Sequence, residues 1–195
     1  MARLRKFDEH EALENALDAF WVNGYEATSV SNLMEATGLA KASLYNALGD
    51  KHTVYLRALE VFTQNARRDL KQLAEEEGTG AELLHRWLEH VAGMASCTGV
   101  RRGCFMVNSA TELAAHDDKV KAVLRRHERN VEGIYRDLLK RGMRDGSLRD
   151  DLNASAVAAW LTTMVYGLQV KGKLSLSTVQ ASEHIEFTMS VLTTH

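Results

Sequence analysis

The residues of this 195-residue chain whose types and spacing could do chemistry are concentrated between positions 24 and 51. Glycines at 24, 38 and 49 divide that stretch into two short runs. The second run carries Lys41, Ala42, Ser43, Tyr45 and Asn46 around the apolar Leu44 and Leu48. An ammonium can donate to the acceptors of a guanine edge, a carboxamide matches adenine, and an alanine methyl suits the methyl of thymine. That is chemistry of recognition, with no bond broken. No arrangement for turnover accompanies it: the sequence has no phosphate-cradling glycine loop, no HExxH, no nucleophile elbow and no CxxC. Its eight histidines are scattered. No catalytic residue, metal-ligand set or cofactor is assigned, and an enzyme stands as a rival class without a site.

A recognition surface needs elements that hold it outward. Val30, Leu33, Met34 and Thr37 recur at helical spacing, Thr28 or Ser29 can cap that helix, and Gly38 closes it. Leu39 and Ala40 bridge to a third helix, about Lys41 to Leu48, with Leu44 and Leu48 inward. Two helices of this length joined by a tight glycine turn have the form of a helix-turn-helix. Such helices are marginal alone, so a first helix, about Asp8 to Asn23, must cover them with Leu13, Ala16, Leu17, Phe20 and Trp21. In a helix-turn-helix the second helix enters the major groove and its N-terminal residues reach base edges, here Lys41, Ala42 and Ser43, then Tyr45 and Asn46 one turn on.

Beyond Asp50 the periodicity predicts longer helices: about 50–77, 81–96, 104–115, one capped by Asp117 and ended by Gly142 and Gly146, one capped by Asn153 and reaching Lys173, and one from Thr178 to Leu192. The chain has no proline, which suits long helices. It therefore reads as all-α, with a three-helix head over residues 1–49 and a bundle of about six helices over 50–195.

Composition narrows the setting. Hydrophobic and charged fractions are ordinary and the net charge is −2. No apolar run is long enough to span a bilayer, and the start lacks the apolar region of a signal peptide, so the cytoplasm, without membrane contact, is expected. Two cysteines are too few for a disulfide framework. The first 51 residues hold five basic against eight acidic side chains, most of the acids early on the first helix. A nucleic-acid reading thus rests on local placement: Arg3, Arg5 and Lys6 in an arm, Lys41 and Lys51 around the third helix.

The series Gly24-Tyr25-Glu26-Ala27-Thr28-Ser29-Val30, then Gly38-Leu39-Ala40-Lys41-Ala42-Ser43-Leu44-Tyr45 and Asp50-Lys51 resembles the TetR family of transcriptional regulators. That family reads roughly G-[YF]-x-x-[TS]-[ST]-[VI] followed by G-[VL]-x-x-x-x-[LI]-Y-x-x-F-x-x-K. Leu48 stands where the family commonly has phenylalanine and fills the same core position with less volume. Arg102-Gly103-Cys104-Phe105-Met106-Val107-Asn108 with Glu112-Leu113-Ala114, and Gly146-Ser147-Leu148-Arg149, are similar to one branch of the family's regulatory domain.

The resemblance implies a homodimeric repressor on double-stranded DNA, released from a palindromic operator by a small-molecule or thiol-reactive signal. Tyr45, Lys51, Thr28 and Ser29 would hold phosphates. The alternative is a helical dimer that binds a protein partner and no longer binds DNA. The last two helices would pair across the dimer, with Val157, Trp160, Leu161, Met164, Leu168, Ile185, Met189 and Leu192 as candidates; which of them face the partner and which their own core stays open. Trp87, Met94, Phe105, Asn108, His127 and Tyr135 lie on helices that enclose the effector in TetR-like proteins, although each also reads as core. Asn108 and Glu112 share a helix face, and if buried they need partners from a ligand or from neighbouring helices. Cys104, beside Arg101 and Arg102, would favour its thiolate if reactive; alternatively Cys97 and Cys104 are small buried hydrophobes.

Overall fold

The computed structural model describes residues 8–96 and 102–193. Arg3, Arg5, Lys6, Cys97 and Arg101, all named above, lie outside the described residues. Every regular element among them is a helix: α1 (Glu9–Asn23), α2 (Val30–Thr37), α3 (Lys41–Ala47), α4 (Lys51–Ala74), α5 (Gly80–Ser96), α6 (Phe105–Glu112), α7 (Asp118–Asp145), α8 (Ala154–Lys173) and α9 (Thr178–Leu192).

Helix starts follow local side-chain chemistry. Asp8, Ser29, Asp50, Asp117, Asn153 and Ser177 each accept from backbone N–H groups that the first turn leaves orphaned. Gly38 and Gly146 close α2 and α7 in the left-handed conformation. Gly142 does not end α7 as its residue type suggested. It is buried inside the helix, where it admits Gly80 from α5: a Cβ on Gly80 would lie 2.1 Å from the Gly142 nitrogen. Close backbone approach, not helix termination, accounts for it. Helix α4 stops at Ala74, three residues early, and α6 is shorter than its periodicity implied, with Leu113 as its C-cap.

Two cores organise the molecule. The first is built from α1 to α4, α6 and the start of α7, with Leu13, Leu17, Phe20, Leu33, Leu44, Leu48, Tyr55, Leu59 and Phe105 among its buried members. It runs across the junction between residues 49 and 50, so α4 belongs to the cover of the head as much as to the bundle. The second gathers α5, the rest of α7, α8 and α9 around Leu84, Leu88, Tyr135, Leu139, Leu161, Leu168 and Ile185. Each large apolar side chain fully buried contributes roughly 1.5–3 kcal/mol, which is how helices of seven and eight residues persist at α3 and α2. No described helix is long and apolar enough to cross a membrane.

Candidate nucleic-acid interface

Helices α2 and α3 present one polar surface. Leu33, Leu44 and Leu48 point inward and are almost wholly buried, while Lys41, Ala42, Ser43 and Asn46 are exposed and Tyr45 is 41% exposed. Helix α3 alternates this way because its apolar residues recur at i and i+4, leaving the other faces to solvent. Its C-terminal end is held by a residue the sequence reading missed. Arg57 of α4 donates to the carbonyl oxygen of Ala47 at 3.1 Å and pairs with Glu9 of α1. A cation there answers the unpaired carbonyls of the helix end. The available signal was a lone basic residue on the buried side of α4.

At the other end of the head, Ser29 caps α2 through a reciprocal bond set with Asn32. Thr28 is different from what the resemblance implied. It is fully buried, and its hydroxyl donates to the Gly24 carbonyl oxygen at 2.6 Å. That hydroxyl closes the turn entering α2 and cannot reach a phosphate, so the assignment is corrected to a structural one. Lys51 lies over the Tyr25 ring, its Nζ 4.4 Å from the centroid, and donates to the Glu26 carbonyl oxygen at 3.3 Å. Its ammonium is thereby held beside the turn that leads into α2. Burial, then the carboxylates of Glu26, Asp50 and Asp117, raise the Tyr25 pKa and keep the ring hydroxyl protonated.

The candidate effector residues do not converge. Trp87 and Tyr135 form a closed pair in the second core, indole Nε1 donating to the phenol oxygen at 2.9 Å. Phe105 belongs to the first core, edge-on to Tyr55 and Phe62. Met94 is 54% exposed, because α5 turns Leu84, Leu88, Val91 and Ala95 inward and leaves Met94 on the outer side; its inclusion among enclosed residues is corrected. Asn108 donates to the Arg102 carbonyl oxygen at 2.8 Å, which fixes the chain entering α6. Cys104 is the N-cap of α6, and burial pushes its thiol pKa up despite helix N–H groups and Lys173 nearby. The thiolate is thus disfavoured, contrary to the inference from its arginine neighbours. Two open grooves lie elsewhere, one of about 530 Å³ beside Val179 and Glu186, the other over Lys121, Arg125 and Arg129.

Among the described residues, one buried polar side-chain atom is poorly served. His127 is 8% exposed, and its Nδ1 has no hydrogen-bond partner. Burial brings its pKa down to about 4, partly offset by a bond to the backbone of Thr63, so the ring is neutral. Among the described residues, the half-buried Tyr166 hydroxyl donates to the Met106 sulfur at 3.5 Å, a weak acceptor, and burial raises its pKa. On the outer surface, His85, Glu89 and Glu186 bring possible ligand atoms within 4.8 Å of one another. The imidazole lies 3.1 Å from Glu186 through Nε2 and 3.8 Å from Glu89 through Nδ1.

For the last two helices the structure answers which way the candidates face. Leu161, Leu168, Ile185, Met189 and Leu192 are buried in the protomer's own core and offer nothing to a partner. They sit at the centre of the α5–α7–α8–α9 bundle, so their assignment to an interface is corrected. Val157 and Met164 are half-buried and Trp160 is 42% exposed. Val170, Leu174, Val179, Phe187 and Val191, which the periodicity did not single out, add exposed apolar surface on and between the same helices.

Comparison with known proteins agrees with this architecture at both ends of the chain. The family model of bacterial regulatory proteins, tetR family, matches residues 12–58, and that of the tetracyclin repressor-like C-terminal domain matches residues 80–186. The HTH-type transcriptional regulator YezE of Bacillus subtilis (strain 168) is 25% identical over 193 residues, covering 98% of this chain and all of YezE. The HTH-type transcriptional repressor ComR of Escherichia coli (strain K12) is 27% identical, over 88% of this chain and 82% of ComR. Among solved structures, a cysteine mutant of the TetR family regulator CifR complexed with 26-base-pair double-strand operator DNA superposes with a TM-score of 0.85 at 26% identity, covering 98% of this chain and 100% of CifR. The reduced form of NemR from E. coli, at 18% identity and a TM-score of 0.87 over 96% of this chain and 97% of its own, shares the fold. With family models matched across both parts of its length, the chain belongs to the TetR family of bacterial regulatory proteins.

Proposed function

We propose that this protein is a cytoplasmic, dimeric transcriptional repressor, without catalytic activity, that reads a palindromic operator through residues 1–49 and responds to a small molecule through residues 50–195. The observation that carries the reading is the outward set Lys41, Ala42, Ser43, Tyr45 and Asn46 on a helix whose Leu44 and Leu48 anchor it. Lys41, Ala42 and Asn46 contact base edges, and Ser29, Tyr45 and Lys51 hold phosphates. Exposed Trp160, Val170, Phe187 and Val191 support pairing of α8 and α9 across a twofold axis, as a palindromic site requires. The two heads then meet half-sites about one duplex turn (~34–36 Å) or a somewhat longer distance apart.

The effector reading draws on His127, whose unpartnered Nδ1 a neutral polar ligand would satisfy. Such a ligand releases DNA only by binding the DNA-incompetent arrangement more tightly than the competent one. Selection of bound sites from random DNA, followed by a titration with the double variant Tyr45→Ala/Lys51→Ala, tests the DNA arm. The double variant should lose affinity on every sequence alike, by about tenfold or more, as expected for phosphate contacts. Full affinity in that variant overturns the docking.

A further inference from the structure

We infer that Glu112, at the end of α6, is the positioning residue that sets the entry of α2 and thereby the orientation of the reading head. This rests on the DNA-binding reading above and adds to it the point where the bundle grips the head.

Glu112 and the turn it holds are 86 and 87 residues apart in sequence. One carboxylate oxygen accepts from the Tyr25 N–H at 3.0 Å and the other from the Glu26 N–H at 2.9 Å. Both oxygens are used, each by a different backbone amide. Gly24, at φ +81°, makes room: a Cβ there would lie 3.1 and 3.2 Å from those same oxygens. The turn leads directly into Thr28 and the Ser29 cap, so a displacement of residues 25 and 26 is a displacement of the first turn of α2. The same short helix and the residues leading into it are tied to α4 and α1 at three further points. Tyr55 of α4 donates to Ser109 at 2.7 Å, and at the entry to α6 the Trp21 indole donates to the Gly103 carbonyl oxygen at 2.9 Å. Arg102 pairs with Asp18 at 2.6 Å. Helix α6 is therefore tied to α4 at its middle, and Glu112 is its contact with the turn that precedes the recognition pair. Charge-assisted bonds of this kind are about twice as strong as neutral ones, and two parallel acceptors fix direction as well as distance.

Chemistry distinguishes this role from a general effect of charge. Glutamine at 112 keeps one acceptor but turns an NH2 donor toward the second N–H. Removing an anion near DNA would, by electrostatics alone, tighten binding. A positioning role requires the opposite sign. The test is hydrogen exchange of the Tyr25 and Glu26 amides together with operator affinity in wild type, Glu112→Gln and Glu112→Ala. We expect both amides to exchange about tenfold faster or more in the variants and operator affinity to fall by about tenfold. The melting temperature should stay within about 4 °C of wild type, which separates misplacement from unfolding. Unchanged exchange overturns the clamp whatever happens on DNA. Faster exchange with operator affinity equal to or above wild type overturns the positioning role. A wild type that recovers no site from random DNA overturns the DNA reading, and the positioning role with it.

Discussion

The two cores are closed by different means. The first is an aromatic cluster in which rings meet edge to face: Phe20 and Tyr25 each lie 4.9 Å from Tyr55, and Trp21 lies 5.1 Å from Phe62. Polar ties run through it between α1, α4 and α6. The second is mostly aliphatic, and its helices touch backbone to backbone, α5 against α7 at Gly80 and Gly142, and α8 against α5 where Gly172 meets the Ala95 carbonyl. Edge-on rings keep favourable contact over a range of tilts, whereas glycine-to-backbone contact leaves no slack. Adjustment between helices therefore belongs to the head and α6, and the aliphatic bundle acts as the frame against which they move.

Three measurements can break or sharpen that contrast. The largest effect is expected from Gly80→Ala. The new methyl group would sit 2.1 Å from a backbone nitrogen and 2.6 Å from the Leu138 carbonyl oxygen, so α5 and α7 must separate. Chemical denaturation should show a loss of about 3 kcal/mol or more.

A smaller effect belongs to His127, which reaches from α7 toward Thr63 on α4. Its folded pKa, about 4, lies below its ordinary 6.5, so the unfolded chain takes up the proton first. Stability should be full above about pH 6.5 and fall as pH drops from there to about 4, by roughly 3 kcal/mol in all. His127→Leu should flatten that window. The capping carboxylates of Asp50 and Asp117 work in a separate, more acidic range. Asp50 is held below its usual pKa by its bonds to Thr53. For Asp117, burial raises the pKa, but bonds from Val120 and His52 outweigh it. Their contribution is lost only below about pH 4. The smallest change is Tyr55→Phe in the aromatic core, which deletes the bond to Ser109 and should cost about 1 kcal/mol. A Gly80→Ala loss no greater than that of Tyr55→Phe would remove the distinction between frame and adjustable part.

Much of the fold was legible because its signals are local. A capping side chain such as Asp8, Asp50 or Asn153 announces a helix within three residues, and Leu44 and Leu48 declare the inward side of α3 by spacing alone. The outward polar face of α3 was readable for the same reason. What escaped was set by distant partners. Nothing beside Glu112 indicates that it meets residues 25 and 26, and Gly142 looks like a terminator until Gly80 is seen lying on it. Helix α8 has apolar residues on most of its faces, so periodicity could not separate Leu161, turned to its own core, from Trp160, turned to solvent. Thr28 and Ser29 are adjacent hydroxyls of nearly equal capping strength, and only the turn at Gly24 decides between them.

Helix α7 contributes side chains to both cores. At 28 residues it is about 42 Å long. Its first turn begins at Asp117, bonded to His52 of α4 at 2.5 Å, and its last gives way to Arg149, whose N–H donates to the Leu192 carbonyl oxygen at the end of α9. One rigid rod thus joins the region beside the head to the far end of the helices that would meet a twin subunit. A tilt of a few degrees at one end sweeps the other through ångströms, so the two reading heads of a pair share a common mechanical reference.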